Sequence, residues 1–361
     1  MARVTCKLDA LKVASGKIKG AGLQSRFLVV STLVYVLYED GVLSLMATDV
    51  DNLVKVDVPA DCEEMDSKSC FVDLNKFCGL IERFDSDDKV SLDFEAEGLL
   101  VSNGGKGKGF MLELAEEGFD NVELPEPAET SKVDYGKLQT FLKVSPSAVA
   151  QDARVPLLMN YYLGEDILSA SQMRVCRLDI NLLGADVILP PTLVKILKLL
   201  DNTEQLSFGM TEKGLVFTDG TVTILGLDVA GDKPKIINQM REYSERTDCD
   251  SQILFKKGAL VSILSRMLLF VTERDRFAVR LSIAEGQLVV TTLDGKSSEA
   301  LEMSAVTEKI NSEWQATANI DYLNEILKAL PDDEVVLGFG ADDVLQLIGN
   351  GCRMVLALIR N

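Results

Sequence analysis

The sequence contains no histidine among its 361 residues. Histidine is the commonest general base, the usual partner of serine and cysteine nucleophiles, and the commonest metal ligand. Its absence removes the most frequent designs of hydrolytic and metal-dependent active sites. Cysteine is also sparse, with seven residues and no Cys-x-x-Cys pair. An odd number without such pairs favours reduced thiols in a cytosol over a disulfide framework.

Long apolar runs are missing as well. No continuous run approaches the roughly 20 residues that a transmembrane helix needs. Near the start, Lys7 and Asp9 stand where a signal peptide would require its apolar core. These features predict a cytoplasmic protein without a membrane partner.

The chain instead repeats a cassette made of one amphipathic helix and one β-hairpin. In the first copy, apolar residues recur at helical spacing over 73–84, and strand alternation follows over 90–94 and 98–101. Residues 191–217 and 321–347 repeat this pattern. The strand starts Val90, Leu206 and Val335 lie 116 and 129 residues apart. A period of this size indicates homologous domains rather than solenoid repeats, and we expect three, at 1–124, 125–250 and 251–361.

Each third also opens with a lysine-bearing helical stretch, followed by a strand pair around a tight turn. The helical stretches are 7–19, 134–143 with Asp134 as the predicted cap, and 256–267. An acidic, proline-bearing connector at 123–130 and a polar break at 241–250 separate the thirds. The expected fold class is α+β, with two helices packed on antiparallel sheets in each domain.

Charge is distributed unevenly between helices and the rest of the chain. The six predicted helical stretches carry a net charge of +9, which leaves −28 for the remainder of a chain whose total is −19. Lysine is also a good surface helix former, so a single lysine has an ordinary structural explanation. The asymmetry across the helices nevertheless predicts one electropositive side that attracts a polyanion.

The repeats and three short sequence segments resemble those of the bacterial DNA polymerase III β sliding clamp family. The segments are Gly41–Leu53, Gln151-Asp-Ala-Arg154 followed by Leu157, and Arg276–Leu288. The resemblance covers essentially the whole chain. It implies a non-enzymatic protein without cofactors, in which two head-to-tail subunits form a ring with helices lining the hole. Double-stranded DNA would pass through without sequence preference, while the replicative DNA polymerase and the clamp loader would dock in a peptide cleft.

Carried over residue by residue, the resemblance implies three sets of site residues. The DNA-facing set is Lys12, Lys17, Lys19, Lys76, Lys137, Lys143, Gln151, Arg154, Lys195, Lys198 and Arg266. The partner-peptide cleft set is Leu157, Met173, Cys176, Arg177, Leu178, Pro234, Leu356, Ala357, Leu358, Ile359 and Arg360. The homodimer interface set is Phe110, Leu112, Leu269 and Phe270, which could equally be intradomain core. The cleft departs from the family pattern, because a Thr-Asp-Gly-His-Arg-Leu segment reads Met173–Leu178 here.

Other functions have weaker support in the sequence. Asp49, Asp51 and Asn52 suggest a cation site or a paired-carboxylate hydrolase, but the calcium-loop spacing fails because position 60 is alanine. The segment 103–109 is rich in glycine and lysine, yet it leads into a strand rather than a helix, which favours a hairpin turn over a phosphate loop. A clamp-fold acidic interaction scaffold without a DNA role is the alternative to the sliding clamp.

Overall fold

The computed structural model describes residues 2–22, 29–62, 67–85, 89–103, 109–119, 123–152, 154–227, 235–245, 249–273, 277–340 and 343–360. The first third contains β1 (Ala2–Lys7), α1 (Leu8–Ala21), a 3-10 turn (Val29–Thr32), β2 (Leu33–Glu39), β3 (Val42–Thr48), β4 (Asn52–Cys62), β5 (Lys68–Asp73), α2 (Leu74–Glu82), β6 (Lys89–Phe94), β7 (Gly98–Asn103) and β8 (Phe110–Glu113).

The middle third contains β9 (Thr130–Lys132), α3 (Tyr135–Val144), 3-10 turns (Ser145–Ser147 and Pro156–Met159), β10 (Tyr161–Leu163), β11 (Ile167–Ala170), β12 (Arg174–Leu178), β13 (Val187–Leu189), α4 (Pro191–Ile196) with a 3-10 turn (Leu197–Leu199), β14 (Ser207–Thr211), β15 (Gly214–Thr218), β16 (Val222–Gly226) and α5 (Lys235–Glu245). The last third contains β17 (Ser251–Lys256), α6 (Lys257–Met267), β18 (Ala278–Ala284), β19 (Gln287–Thr292), β20 (Ser298–Glu302), β21 (Ser304–Ala305), β22 (Gln315–Asn319), α7 (Ile320–Ala329), β23 (Glu334–Phe339), β24 (Val344–Gly349) and β25 (Cys352–Ala357). No helix in these ranges is long and apolar enough to cross a membrane.

The predicted cassettes are confirmed as helix followed by hairpin in all three copies. They are α2 with β6 and β7, α4 with β14 and β15, and α7 with β23 and β24. Local chemistry explains where the helices begin. Asp73 and Asp134 accept hydrogen bonds from the backbone N–H groups of Lys76 and Lys137 at 2.7 and 2.8 Å, which caps α2 and α3. The predicted α+β class with antiparallel sheets is confirmed.

The chain folds as two compact units that do not follow the order of the sequence. One unit contains Met1–Val133 and Thr192–Asp228, and the other contains Asp134–Pro191 and Val229–Asn361. The middle third therefore contributes to both units. The three-domain division at 1–124, 125–250 and 251–361 remains a prediction.

The first unit is built on a sheet of twelve described strands. Its main path runs β8-β7-β6-β1-β4-β16-β15-β14-β9, and β2, β3 and β5 extend from it. β4 pairs antiparallel with β16, so that Leu53 lies opposite Leu225 and Val56 opposite Val222. Helices α1 and α2 pack together over the sheet through buried residues such as Leu11, Ile18 and Phe77.

The second unit contains a nine-stranded and a four-stranded sheet in the described residues. The first has the order β13-β10-β11-β12-β25-β24-β23-β17-β21, and the second has the order β20-β19-β18-β22. β12 pairs antiparallel with β25, which places Arg174 opposite Leu356 and Cys176 opposite Met354. Helices α6 and α7 pack on each other, and the buried residues Leu264 and Leu323 belong to their core faces.

Helix α5 corrects the sequence analysis, which expected a polar break over 241–250. Residues 241–245 are helical, and the helix buries Ile237, Met240 and Ser244. These three positions are spaced by three and four residues, which is the spacing of one helical face. The acidic and basic residues around them obscured this short apolar stripe.

Candidate functional site

Six of the predicted DNA-facing residues lie on helices of the first unit. Lys76, Lys195 and Lys198 have exposed side chains, and no carboxylate of the described residues pairs with them. Lys17 instead forms an ion pair with Asp201 at 2.7 Å, and Lys19 forms one with Glu82 at 3.5 Å. Such exposed or half-exposed pairs exchange easily with solvent and contribute little to stability.

Lys12 is less available than its neighbours on α1. Its ammonium group donates a hydrogen bond of 2.7 Å to the carbonyl oxygen of Phe84. It also lines a cavity of about 200 Å³ together with Lys19 and Glu82. Lys12 therefore has a structural role between α1 and the segment that follows α2.

The remaining predicted DNA-facing residues lie in the second unit. Lys137 and Lys143 are exposed on α3, and Gln151 is exposed on the loop after it. Arg154 is 87% exposed and pairs with Asp152, whose hydrogen bonds from Arg154 lower the pKa of that carboxyl. Arg266 pairs with Glu299, and this ion pair raises the pKa of the guanidinium and lowers that of the carboxyl.

The predicted peptide cleft falls along the seam between β12 and β25. The backbone N–H of Ala357 donates to the carbonyl oxygen of Met173 at 2.9 Å, which continues the pairing beyond the strands. Cys176, Leu178 and Leu356 are fully buried and face the core. The side chains at the surface are those of Leu157, Met173, Arg177, Ala357, Leu358, Ile359 and Arg360. Pro234 lies outside the described residues.

An apolar cluster lies beside this seam and receives helix α5. Ile237 and Met240 of the helix pack into a cluster that also contains Tyr162, Val175 and Val355. Burial of such side chains contributes roughly 1.5–3 kcal/mol each. The cluster therefore fixes α5 against the strands that form the predicted cleft.

An ion network fixes the other side of α5. Arg241 forms a bidentate pair with Asp166 at 2.9 and 2.6 Å, and these hydrogen bonds raise the pKa of the guanidinium. Arg177 lies within 3.1 Å of both Asp166 and Asp179 and bonds Glu245 of α5. Arg177, a predicted cleft residue, is thus surrounded by three carboxylates of its own chain.

One cavity brings the predicted DNA-facing loop and the predicted cleft together. It has a volume of about 500 Å³ and is lined by Gln151 and Arg154 from the first set and Met173 from the second. Its wall also contains Arg174 and, from α7, Tyr322 and Glu325. These last three residues are not among those predicted from the sequence. Arg174 was visible within the altered cleft segment, but no local signal connects it with residues on α7.

Two exposed apolar surfaces correspond to the predicted dimer interface. Leu269 and Phe270, just after α6, are 81% and 62% exposed, and Phe110 on β8 is 56% exposed. Leu112, on the same strand, is only 7% exposed and packs into its own unit. In the described part of the chain, strand β8 lies at one edge of its sheet and strand β20 lies at one edge of another sheet. Exposed apolar side chains next to open sheet edges are typical of interaction surfaces.

The acidic residues near Asp49 form a turn. Asp49 is buried and accepts hydrogen bonds from the backbone N–H and the side-chain amide of Asn52 at 2.7 and 3.0 Å. Burial raises the pKa of this carboxyl. Across the described ranges, no group of three or more Cys, Asp or Glu side chains is arranged to hold a metal ion. The role of Asp49 in this turn is thus enough to explain why an aspartate stands at this position.

The sequence matches no family model and no curated protein. Solved structures are similar in fold along the entire chain. The DNA polymerase sliding clamp of Pseudomonas aeruginosa superposes with a TM-score of 0.83 at 18% identity, and each chain is covered to 100%. The clamp of Bacillus subtilis gives 0.84 at 16% identity, covering 100% of this chain and 99% of the other. The DNA polymerase III subunit β of Bartonella birtlesii, solved with bound griselimycin, gives 0.84 at 18% identity with full coverage of both chains.

Proposed function

We propose that this protein is a DNA sliding clamp: a homodimeric ring that encircles duplex DNA and tethers the replicative polymerase without catalysing a reaction itself. The observation that carries this proposal is the fold shared over full length with bacterial DNA polymerase III β sliding clamps. The absence of histidine agrees with a protein that needs no general base.

The charge distribution supports a role on DNA. Exposed lysines such as Lys137 and Lys143 on α3 and Lys195 on α4 belong to helices that are basic within an acidic chain. Attraction between lysines and phosphates is independent of base sequence. A protein that must slide requires such contacts, because base-specific contacts would stop it at particular sites.

The exposed apolar side chains on β8 and just after α6 support ring closure. Leu269 and Phe270 of one subunit would pack against Phe110 of the partner subunit, with β8 and β20 meeting edge to edge. This contact joins two different surfaces, so it is heterologous, and it closes only when the rotation between subunits completes a ring. Two copies of the chain would close it with two such contacts.

The seam between β12 and β25 supports the docking of partner peptides. Apolar side chains such as Leu157, Met173 and Ile359 reach the surface beside charged groups. Peptide-binding sites typically combine apolar anchors with a few polar groups. The polymerase and the clamp loader are the proposed sources of these peptides.

The proposal is tested by two measurements on the purified protein. Light scattering across a dilution series should give the mass of two chains. Labelled protein placed on circular DNA by a clamp loader should stay bound, and it should dissociate when the circle is cut. A monomer, or retention that does not depend on DNA ends, would contradict the ring and favour the interaction scaffold.

A further inference from the structure

We propose that Arg174 is a specificity-determining residue that recognises a carboxylate side chain of a peptide bound at the seam between β12 and β25. This inference rests on the peptide cleft of the proposed function. It concerns which peptides the cleft prefers, and the preference follows from the environment of one guanidinium group.

Arg174 is a buried cation with an incomplete set of partners. Its side chain is 8% exposed, and its Nη1 donates to Glu325 at 2.6 Å. The guanidinium carbon lies 4.3 Å from the centre of the Tyr322 ring, which holds the group in place through a cation–π contact. Among the described residues, none accepts a hydrogen bond from its buried Nε. Buried donors are nearly always paired, so the free Nε indicates capacity for a further acceptor.

The neighbouring Arg177, on the same strand, also has a buried Nε without a hydrogen-bond acceptor among the described residues, but more carboxylates surround its guanidinium group. Arg177 contacts Asp166, Asp179 and Glu245, whereas Glu325 is the one carboxylate that pairs with Arg174 within the described ranges. Glu325 is 59% exposed, so its carboxylate can move into solvent at low cost. A ligand that competes for Arg177 would have to displace three internal partners. Arg174 is therefore the better candidate for pairing with an incoming group.

The side chains that line the cavity fit a peptide that carries a carboxylate side chain together with apolar anchor side chains. A guanidinium pairs with carboxylates through two parallel N–H donors. The nearby Arg154 and Asp152 neutralise each other and add no net charge. Ala150 lines the cavity and is also part of the apolar cluster beside the seam, and Val155 lines the cavity and packs against that cluster. One bound segment could thus place an apolar side chain by the cluster and an acidic one by Arg174.

The test compares two short fluorescein-labelled peptides with a Leu-Phe anchor pair, identical except for Glu or Gln at one position near the anchor. Fluorescence anisotropy with the full-length protein should show roughly tenfold or tighter binding of the Glu peptide, as a charge-assisted pair implies. The variant Arg174→Gln should bind both peptides with the affinity of wild type for the Gln peptide. Glu325→Gln should increase the preference for Glu, because it removes the internal competitor.

The double variant Asp152→Asn with Arg154→Gln is the matched control, because it removes an exposed ion pair that lines the same cavity and leaves the net charge unchanged. This variant should keep the preference for Glu. Equal binding of both peptides by the wild type would overturn the role of Arg174 while leaving the peptide cleft intact. A preference that survives Arg174→Gln would also overturn it. If neither peptide binds, the proposed peptide cleft is contradicted. The measurement on circular DNA tests the ring independently of that result.

Discussion

Val50 and Gly220 occupy the same position in two similar turns. In each turn a threonine hydroxyl, that of Thr48 or Thr218, accepts a hydrogen bond from the backbone N–H two residues later, at 3.0 and 3.1 Å. Both central residues have a positive φ, +83° for Val50 and +85° for Gly220. Glycine adopts this conformation freely, but a β-branched residue is strained in it. The first turn therefore stores strain that the second avoids.

We expect Val50→Gly to raise the free energy of unfolding by about 1 kcal/mol, because it releases this strain. The side chain is 53% exposed, so little packing is lost. Urea unfolding followed by circular dichroism measures the change. Gly220→Ala is the matched control and should be destabilising, since it places a Cβ on a backbone with a φ of +85°. A loss of stability in Val50→Gly would contradict the strain argument.

Asp219 and Asp49 are buried carboxyls with opposite pKa shifts. Burial opposes ionisation of Asp219, but backbone N–H groups of Asp201, Asn202, Thr221 and Val222 donate to it at 2.7–3.2 Å and bring its pKa below the ordinary value. A carboxyl with a lowered pKa stabilises the fold above its unfolded pKa of about 3.9, and this contribution is lost as pH falls through the folded pKa.

We therefore expect Asp219→Asn to lower the free energy of unfolding by about 1–3 kcal/mol at pH 7, because backbone donors lose their acceptor. The difference from wild type should shrink in acid. Asp49→Asn provides the contrast. Because the pKa of Asp49 is raised, its charge is unfavourable to the fold at neutral pH, and its contribution to stability becomes more favourable as pH falls. Urea unfolding between pH 7 and 3 measures both trends. Parallel trends in the two variants would contradict these assignments.

At the scale of elements, helix α5 packs on the apolar cluster of the second unit through Met240 and joins the ion network through Arg241 and Glu245. We expect Met240→Ala to lower the free energy of unfolding by about 2–4 kcal/mol, because it leaves a cavity in the apolar cluster. Asn238→Ala, on the exposed face of the same helix, should change it by less than about 0.5 kcal/mol. Thermal unfolding compares the two variants. Equal effects would show that the helix is not fixed by its buried face.

The elements that were predictable are those determined by nearby residues. The cap at Asp134 and the three cassettes of helix and hairpin depend on contacts within a few residues or on simple periodicity. Helix α5 was missed because its apolar stripe is short and lies within charged sequence. The Arg174–Glu325 pair joins residues 151 positions apart, and a single sequence carries no signal for such a contact.

The strand seams were unpredictable for the same reason. Pairing of β4 with β16 and of β12 with β25 joins distant parts of the chain. Periodicity predicts a strand and its buried face, but it does not identify the neighbour. The resemblance to sliding clamps supplied the arrangement of the candidate site, and the positions of its side chains came from the structure.

At the scale of the whole molecule, the exposed pair Leu269 and Phe270 should control self-association. We expect the double substitution Leu269→Asp and Phe270→Asp to give a monomer with unchanged thermal stability, because both side chains are exposed in the single chain. Light scattering measures the mass. Val306→Asp, at an apolar residue that is 51% exposed elsewhere in the second unit, should leave the mass unchanged. A double variant that keeps the wild-type mass would place the interface elsewhere.

The exposed helix lysines should control retention on DNA. Substituting Lys137, Lys143 and Lys198 together by Glu should shorten the lifetime on circular DNA and weaken its salt dependence, because fewer phosphate contacts release fewer counterions. Lys213→Glu with Lys309→Glu is the control, at exposed lysines outside the helices. This control reverses two charges, whereas the triple variant reverses three. Equal loss in both proteins would point to net charge rather than to a lysine-lined surface.

The interleaved units have a consequence for how the chain folds as it is synthesised. The chain passes from the first unit to the second after Val133, returns at Thr192, and passes again to the second unit at Val229. Strand β12 gains its neighbour β25 only when residues 352–357 have left the ribosome. Until then the nascent chain exposes an unpaired, apolar strand edge, which is a hazard for aggregation. Slow translation or premature release in the last third should therefore yield insoluble chains rather than a stable fragment.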